Sequence, residues 1–336
     1  MAENGFLDRL LETVSRHERT MVIGQMDTGK STLVKNVADR MGALVLDTDI
    51  GQNDIGPPAT VTIGERAGGR YRRIDGYFCG SVSPSRHFLQ MIAGLSRLLA
   101  RAGKRPVLIN TTGLATGDIG RALKTEKINA ARPDLIIGLE FEDELKYLDA
   151  FSRAGIEVLR FKPHPEVRDR SRAVRDRTRE AMFQAHFSGA SASAHRLEEI
   201  AIERSLLGNG IPADAATLSQ FAGARVVHAE VAGNEGLIIF GDGRVDLQKM
   251  APELEVKVLY SYHIMDFPGA LVGLYGERGL FLGLGLIESI DFTEGLVHVF
   301  STVREFSLMQ FGSMRLNPSD FTSAGPLQPQ VYRHKH

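Results

Sequence analysis

The sequence predicts an α/β protein: a doubly wound, mainly parallel sheet followed by a smaller C-terminal β-rich domain. Three observations carry that expectation. Residues 21–23 are a short apolar run that meets a glycine-rich turn and then Lys30, Ser31 and Thr32 at the opening of a helix. Apolar strand-like runs alternate with helix-length segments from about residue 20 to 160, the pattern of βαβ units. Beyond about residue 222, short apolar runs are punctuated by glycine turns instead.

Composition sets the outer limits. The 336 residues, 43% of them hydrophobic, suffice for a packed core of one large domain or two ordinary ones. Forty basic against 41 acidic residues leave a formal charge of −1, which argues against bulk electrostatic coating of nucleic acid and leaves room for a local basic site. One cysteine, Cys79, excludes an intrachain disulfide framework and a multi-cysteine metal site. It reads as core filler in a reducing compartment. No apolar stretch is long enough to cross a bilayer, and the N-terminus lacks a signal peptide's basic-then-apolar order. A cytoplasmic protein with no membrane partner and no evident obligate protein partner is expected.

Residues 1–19 should be an N-terminal helix, with Phe6, Leu7, Leu10, Leu11 and Val14 at helical spacing. The spacing from Gly24 to Gly29-Lys30-Ser31 then completes the P-loop pattern, which makes the predicted domain a P-loop NTPase fold. Gly24, Gln25, Met26, Asp27, Thr28, Gly29, Lys30, Ser31 and Thr32 are the expected nucleotide-binding loop. Its N–H groups would surround the β-phosphate, Lys30 would reach the β- and γ-phosphates, and Ser31 would ligate magnesium. The strand at 43–46 ends in Asp47-Thr48-Asp49, where an acid beside Lys30 and Ser31 can hold the metal or accept a proton. Asp49 is the favoured functional acid; an Asx turn or helix cap would account for one of the pair. Gln52 follows, placed to orient phosphate or water.

Residues 59–80 alternate weakly, as edge strands or a hairpin do. A helix begins near Pro84 and carries Met91, Leu95, Leu98 and Leu99 onto the sheet. Arg86 and His87 fit either a substrate-facing or an ordinary surface and capping role. Residues 106–110 form another central strand, with Thr111-Thr112-Gly113-Leu114 at its exit, able to offer hydroxyl and backbone donors to phosphate. Strands at 135–139 and 156–159 continue the sheet.

Between Arg160 and Arg179 there are eight Lys/Arg against three Asp/Glu. Arg168, Arg172, Arg175 and Arg179 share one helical face, and Arg170 and Arg177 another. This segment is either a solvated charged helix or, over about 165–189, an arginine-rich lid that places cations over a transferred phosphate. Phe183 and Phe187 would anchor its end. A helix is expected at 193–207. The P-loop domain is drawn at 20–222, the β-rich domain at 223–325, and a loosely held tail at 326–336.

Together these stretches resemble the Clp1/Grc3/Nol9 family of polynucleotide 5′-hydroxyl kinases, in a microbial form. The P-loop is GQMDTGKST, with Asp27 where many microbial members carry an acid. The family's DxDxGQ string is Asp47-Thr48-Asp49-Ile50-Gly51-Gln52, and its TxGW clasp is represented by Thr111-Thr112-Gly113-Leu114. Arg170, Ser171 and Arg175 fit the lid's arginine, serine and second arginine. The resemblance implies ATP and Mg2+ as cofactors and RNA or DNA with a free 5′-hydroxyl as substrate. It implies that Lys30 and Ser31 handle ATP and magnesium, and that Asp49 activates the hydroxyl and helps organise the metal. Arg170 and Arg175 would stabilise the γ-phosphoryl group, and Thr111 and Gly113 grip the first substrate phosphate. The departure is Leu114 in place of the clasp tryptophan. It leaves open a kinase of a small nucleoside-like metabolite and a non-catalytic ATP-binding scaffold.

Overall fold

A computed structural model describes residues 2–165 and 170–334. Arg168, residues 166–169 at the start of the expected lid, and the last two residues of the expected tail lie outside the described residues. The chain divides into two compact units, Met1–Phe183 and Gln184–His336.

In the first unit, helix α1 (Ala2–Val14) leads into strand β1 (Arg19–Gly24), followed by α2 (Lys30–Met41), β2 (Leu44–Thr48), β3 (Thr60–Ala67), β4 (Arg70–Phe78) and α3 (Phe88–Arg101). Then come β5 (Val107–Thr111), α4 (Gly117–Ala131), β6 (Leu135–Leu139), α5 (Asp149–Arg153), β7 (Glu157–Phe161) and α6 (Arg172–His186). The sheet runs β4-β3-β2-β5-β1-β6-β7. Strands β2, β5, β1, β6 and β7 run parallel to one another, and β3 and β4 add an antiparallel hairpin beside β2 at the edge. The fold is therefore the doubly wound α/β sheet the sequence predicts.

Strand periodicity explains the two covered faces. Met21 and Ile23 of β1 join Met91, Leu95, Leu98, Leu123 and Ile128 from α3 and α4. Val22, between them, joins Leu10, Val14, Val34 and Val37 from α1 and α2. Because β1 is central, the loop leaving its carboxyl end opens at the middle of the sheet edge, where α/β folds place ligands.

In the second unit, β10 (Ile211–Pro212), β11 (Ala224–Ala232), β12 (Glu235–Gly243), β13 (Val258–His263) and β19 (Gln330–Arg333) form one sheet. A second contains β18 (Ser323–Pro326), β17 (Leu308–Leu316), β14 (Ala270–Tyr275), β15 (Phe281–Asp291), β16 (Leu296–Ser301) and β8 (Ser191–Arg196), with β9 (Ala201–Glu203) also pairing β17. Leu237 and Ile239 of β12 face a core shared with Val272, Val299 and Phe311. Ile238 and Phe240 face Leu218 of α7 (Ala215–Ala222) and Met250 of α8 (Leu247–Glu253).

Three expectations are corrected here. The expected helix at 193–207 is instead β8, a short 3-10 turn and β9. Tertiary pairing overrides the alanine-rich composition, since Ser191–Arg196 hydrogen-bonds along β16 and Ala201–Glu203 along β17. For the same reason the unit boundary falls at 183/184 rather than 222/223. The expected loose tail contains β19, which pairs antiparallel with β13 from Ser261↔Gln330 to Val258↔Arg333. Cys79 is fully buried, as core filler should be. No helix among the described residues is long and apolar enough to cross a membrane.

Candidate active site at the carboxyl edge of the first sheet

The loop between β1 and α2 is shaped by two left-handed residues. Gly29 has φ 86° and caps α2, a conformation glycine adopts without a Cβ penalty. Asp27 has φ 54°, which aspartate tolerates better than most side chains. The turn brings the N-terminus of α2, with its unpaired N–H groups and positive dipole end, to the sheet edge. Lys30 is buried, and its Nζ donates to the Gln25 carbonyl and, at 3.4 Å, to Thr28 Oγ1. Burial lowers its ammonium to about 8, while the carboxylates of Asp49 and Asp27 hold it up.

The acids at the end of β2 adopt different roles. Asp47 is buried and accepts from the N–H groups of Asp49 at 2.9 Å and Asp54 at 2.8 Å, and from Asn110 Nδ2 at 3.1 Å. Burial pushes its carboxyl up to about 8, with the Asp54 and Asp49 charges adding and the two N–H groups opposing. Asp49 is half-buried, and its Oδ1 accepts from Gly51 N–H at 3.0 Å and Gln52 N–H at 3.3 Å. One acid is thus built into the turn, and the other keeps Oδ2 outside these turn bonds.

Asn110, on β5, joins Asp47 to the P-loop. Its Nδ2 also donates to Ser31 Oγ at 3.2 Å, and its Oδ1 is buried with no hydrogen-bond partner among the described residues. Gln52 Nε2 is likewise buried without a partner there. Ser31 Oγ and the Asp49 carboxylate, whose Oδ2 lies outside the turn bonds, offer oxygen donors only, which suits a small hard dication.

The arginine-rich segment is joined to this loop. Asp27 accepts Arg170 N–H and Arg175 Nη1 on Oδ2, and Arg170 Nε on Oδ1, each at 3.1 Å. Arg179, further along α6, stands 3.9 Å (Nη1) from where a β-carbon on Gly51 would lie, and it also pairs with Asp176. Phe183 is buried, and Phe187 is buried against Phe321 and Phe300.

The Thr111–Leu114 turn is divided in its roles. Thr111 is buried, and its hydroxyl donates to the Val22 carbonyl at 2.8 Å, so that group ties β5 to β1 instead of facing solvent. Thr112 accepts Lys124 Nζ on its carbonyl at 2.5 Å and on Oγ1 at 3.3 Å. Gly113 lies against the P-loop: a β-carbon there would sit 2.3 Å from Met26 Cγ, 2.7 Å from its N and 2.8 Å from its Cα. Leu114 is half-buried and packs against the core under α3 and α4. Asn110, Lys124 and Lys127 were not singled out from sequence. A polar residue inside a strand was the available signal for Asn110; two lysines three apart on a helix read as solvated.

The chain is similar to known proteins. The family model for the mRNA cleavage and polyadenylation factor CLP1 P-loop matches residues 24–189. A polyribonucleotide 5′-hydroxyl-kinase of Pyrococcus furiosus is 29% identical over 323 residues, covering 90% of this chain and 89% of that one. The Pyrococcus abyssi protein of the same description is 28% identical, covering 92% of each. Among solved structures, the wild-type Clp1p–Pcf11p complex contains a chain that superposes with TM-score 0.60 at 11% identity, over 93% of this chain and 79% of that chain, a likeness of fold. Over residues 24–189, this chain is similar to the CLP1 P-loop family.

Proposed function

We propose that this chain phosphorylates the 5′-hydroxyl end of a polynucleotide at the expense of ATP. The observation that carries the reading is the convergence of three charge-handling parts on one sheet edge. These are Lys30 at the N-terminus of α2, the Ser31–Asn110–Asp47 hydrogen-bond chain with Asp49 two residues on, and Arg170 and Arg175 held at the loop by Asp27. The archaeal relatives named for this activity support it.

The chemistry follows from those positions. The 5′-oxygen attacks the γ-phosphorus; that O–P bond forms as the bond to the β–γ bridging oxygen breaks, and ADP departs. The hydroxyl proton passes to Asp49, whose Oδ1 is fixed by Gly51 and Gln52. Lys30 and the P-loop N–H groups take charge on the β- and γ-phosphates, and Arg170 and Arg175 the charge on the transferred group. Magnesium, for which Ser31 and Asp49 are the proposed ligands, neutralises phosphate oxygens when bound. Gln52, Thr112, Gly113 and Leu114 border the polynucleotide end, and Thr111 supports that turn from within. A buried thiol outside any disulfide at Cys79 suits the reducing cytoplasm.

Transfer of labelled γ-phosphate to matched RNA, DNA and mononucleoside acceptors with free 5′-hydroxyls tests the reading. Label on an oligonucleotide, abolished by a pre-existing 5′-phosphate, is expected. Label on the mononucleoside alone would replace the reading with a small-metabolite kinase. ATP binding with no transfer would replace it with a scaffold.

A further inference from the structure

Helix α4 buries two lysines behind the site. Lys124 and Lys127 are three residues apart on one face and are both 0% exposed. Taking an ammonium out of water is strongly unfavourable unless it is partnered, and leucine or methionine would fill the same space without that cost. Neither lysine forms an ion pair among the described residues. Each instead donates to the carbonyl and hydroxyl of one threonine at a strand exit. Lys127 Nζ is 2.7 Å from Thr48 Oγ1 and 3.2 Å from Thr48 O. Lys124 Nζ is 2.5 Å from Thr112 O and 3.3 Å from Thr112 Oγ1.

Both threonines precede a proposed site residue across a trans peptide, since the described chain has no cis bonds. In a planar trans peptide the C=O and the following N–H point in opposite directions, so fixing the carbonyl aims the next residue. At Thr48–Asp49 the consequence is visible: with the carbonyl held by Lys127, Asp49 N–H meets Asp47 Oδ1 at 2.9 Å. At Thr112–Gly113 the carbonyl held by Lys124 turns Gly113 N–H to the opposite side. The same charges are felt at the site. Burial lowers the Lys127 ammonium to about 8 and the Asp49 carboxylate holds it up. Burial, with Lys127 and Lys30 nearby, drives the Lys124 amine well below its ordinary range, Asp49 again opposing.

We propose that Lys127 and Lys124 are positioning residues of the phosphotransfer site. Lys127 sets the Asp49 carboxylate through the Thr48–Asp49 peptide, and Lys124 sets the Gly113 N–H as a donor to the polynucleotide's first phosphate through the Thr112–Gly113 peptide. The proposal rests on the kinase reading, and it separates the two lysines by kinetic constant. Lys127 acts on the chemical step and Lys124 on acceptor binding.

The test is steady-state phosphorylation of a 5′-hydroxyl RNA by full-length wild type, Lys127→Met and Lys124→Met, with ATP Kd and melting midpoint measured in parallel. Lys127→Met should lower kcat by about 30-fold with KM for RNA within about threefold, and Lys124→Met should raise that KM by about tenfold with kcat within about threefold. ATP Kd should stay within about threefold in both. Where a methionine variant does not fold, Thr112→Val, which removes the Lys124 acceptor Oγ1, or Thr48→Val, which removes the Lys127 acceptor Oγ1 together with that hydroxyl's bond to the Asn110 carbonyl, keeps the lysine and should give the same split at about threefold. Unchanged constants, or proportional loss of kcat and KM in both variants, would overturn the proposal while leaving the kinase reading intact. Absence of transfer by the wild type would remove the kinase reading and this proposal with it.

Discussion

Arg175 Nη1 lies 3.1 Å from Asp27 Oδ2, joining the arginine-rich helix to the P-loop across 148 residues of sequence. Asp27 is nearly buried at 7% side-chain exposure, against 22% for Arg175 and 51% for Arg170 on the same carboxylate. On the kinase reading, Asp27 therefore holds Arg170 and Arg175 beside the proposed phosphate site and also places a negative charge there. Asp27→Asn should tighten ATP by roughly fivefold, the worth of about 1 kcal/mol for a carboxylate paired with partly exposed arginines, and should lower kcat because the arginines lose their anchor. Calorimetric ATP titration alongside turnover checks it; weaker ATP binding would count against this role.

Arg175→Ala separates transition-state from ground-state binding. A group that meets charge mainly as the γ-phosphoryl transfers should cost about 100-fold in kcat with ATP Kd changed by less than about fivefold. Equal losses in both, measured by single-turnover transfer and fluorescence binding, would assign Arg175 to nucleotide binding.

Gly113→Ala tests the close approach of the clasp turn to the loop. The added carbon would meet Met26 backbone atoms at 2.7 and 2.8 Å, which side-chain rotation cannot relieve. The turn must shift, with a stability loss of about 1–3 kcal/mol and a KM for RNA raised by about tenfold. Met26→Ala in the same chain removes only the side-chain clash and should not restore KM. Full restoration would show that the backbone approach is unimportant.

Lys127 gives a pH signature in stability. Its folded pKa is about 8 against the ordinary lysine value of 10.5, so between those values the unfolded chain binds more protons, and stability attributable to this group rises with pH. The cost of burying its charge is fully present below pH 8 and is relieved above it. Relative to Lys127→Met, the wild type should gain on the order of 1 kcal/mol per pH unit from about pH 8 to 10. Urea midpoints at pH 7, 8, 9 and 9.5 measure this; a flat difference would mean that Lys127 is not desolvated as described.

What the sequence displays is local spacing. The P-loop, the acids two residues past an apolar strand, and the alternation of strands and helices all lie within short windows, so the first sheet and the nucleotide loop were legible. What it conceals depends on distant partners. The Asp27–Arg170–Arg175 cluster joins residues 143 and 148 positions apart. Strands β8 and β9 exist because β16 and β17, about a hundred residues later, pair with them. Thr111 stands at the strand exit that the sequence marks, yet its hydroxyl is taken by Val22 of the neighbouring strand. Lys124 and Lys127 look like surface lysines until β2 and β5 are laid beneath α4.

The central claim is that Asp49 takes a proton from a polynucleotide 5′-hydroxyl during transfer from ATP. Single-turnover transfer of labelled γ-phosphate to a 5′-hydroxyl RNA by wild type and Asp49→Asn, with ATP Kd measured on both, tests it most directly. The account predicts 5′-labelled RNA from the wild type and a loss of at least about 100-fold in the variant, with Kd within about threefold. Undiminished transfer by Asp49→Asn, or no labelled RNA from an ATP-bound wild type, would contradict it.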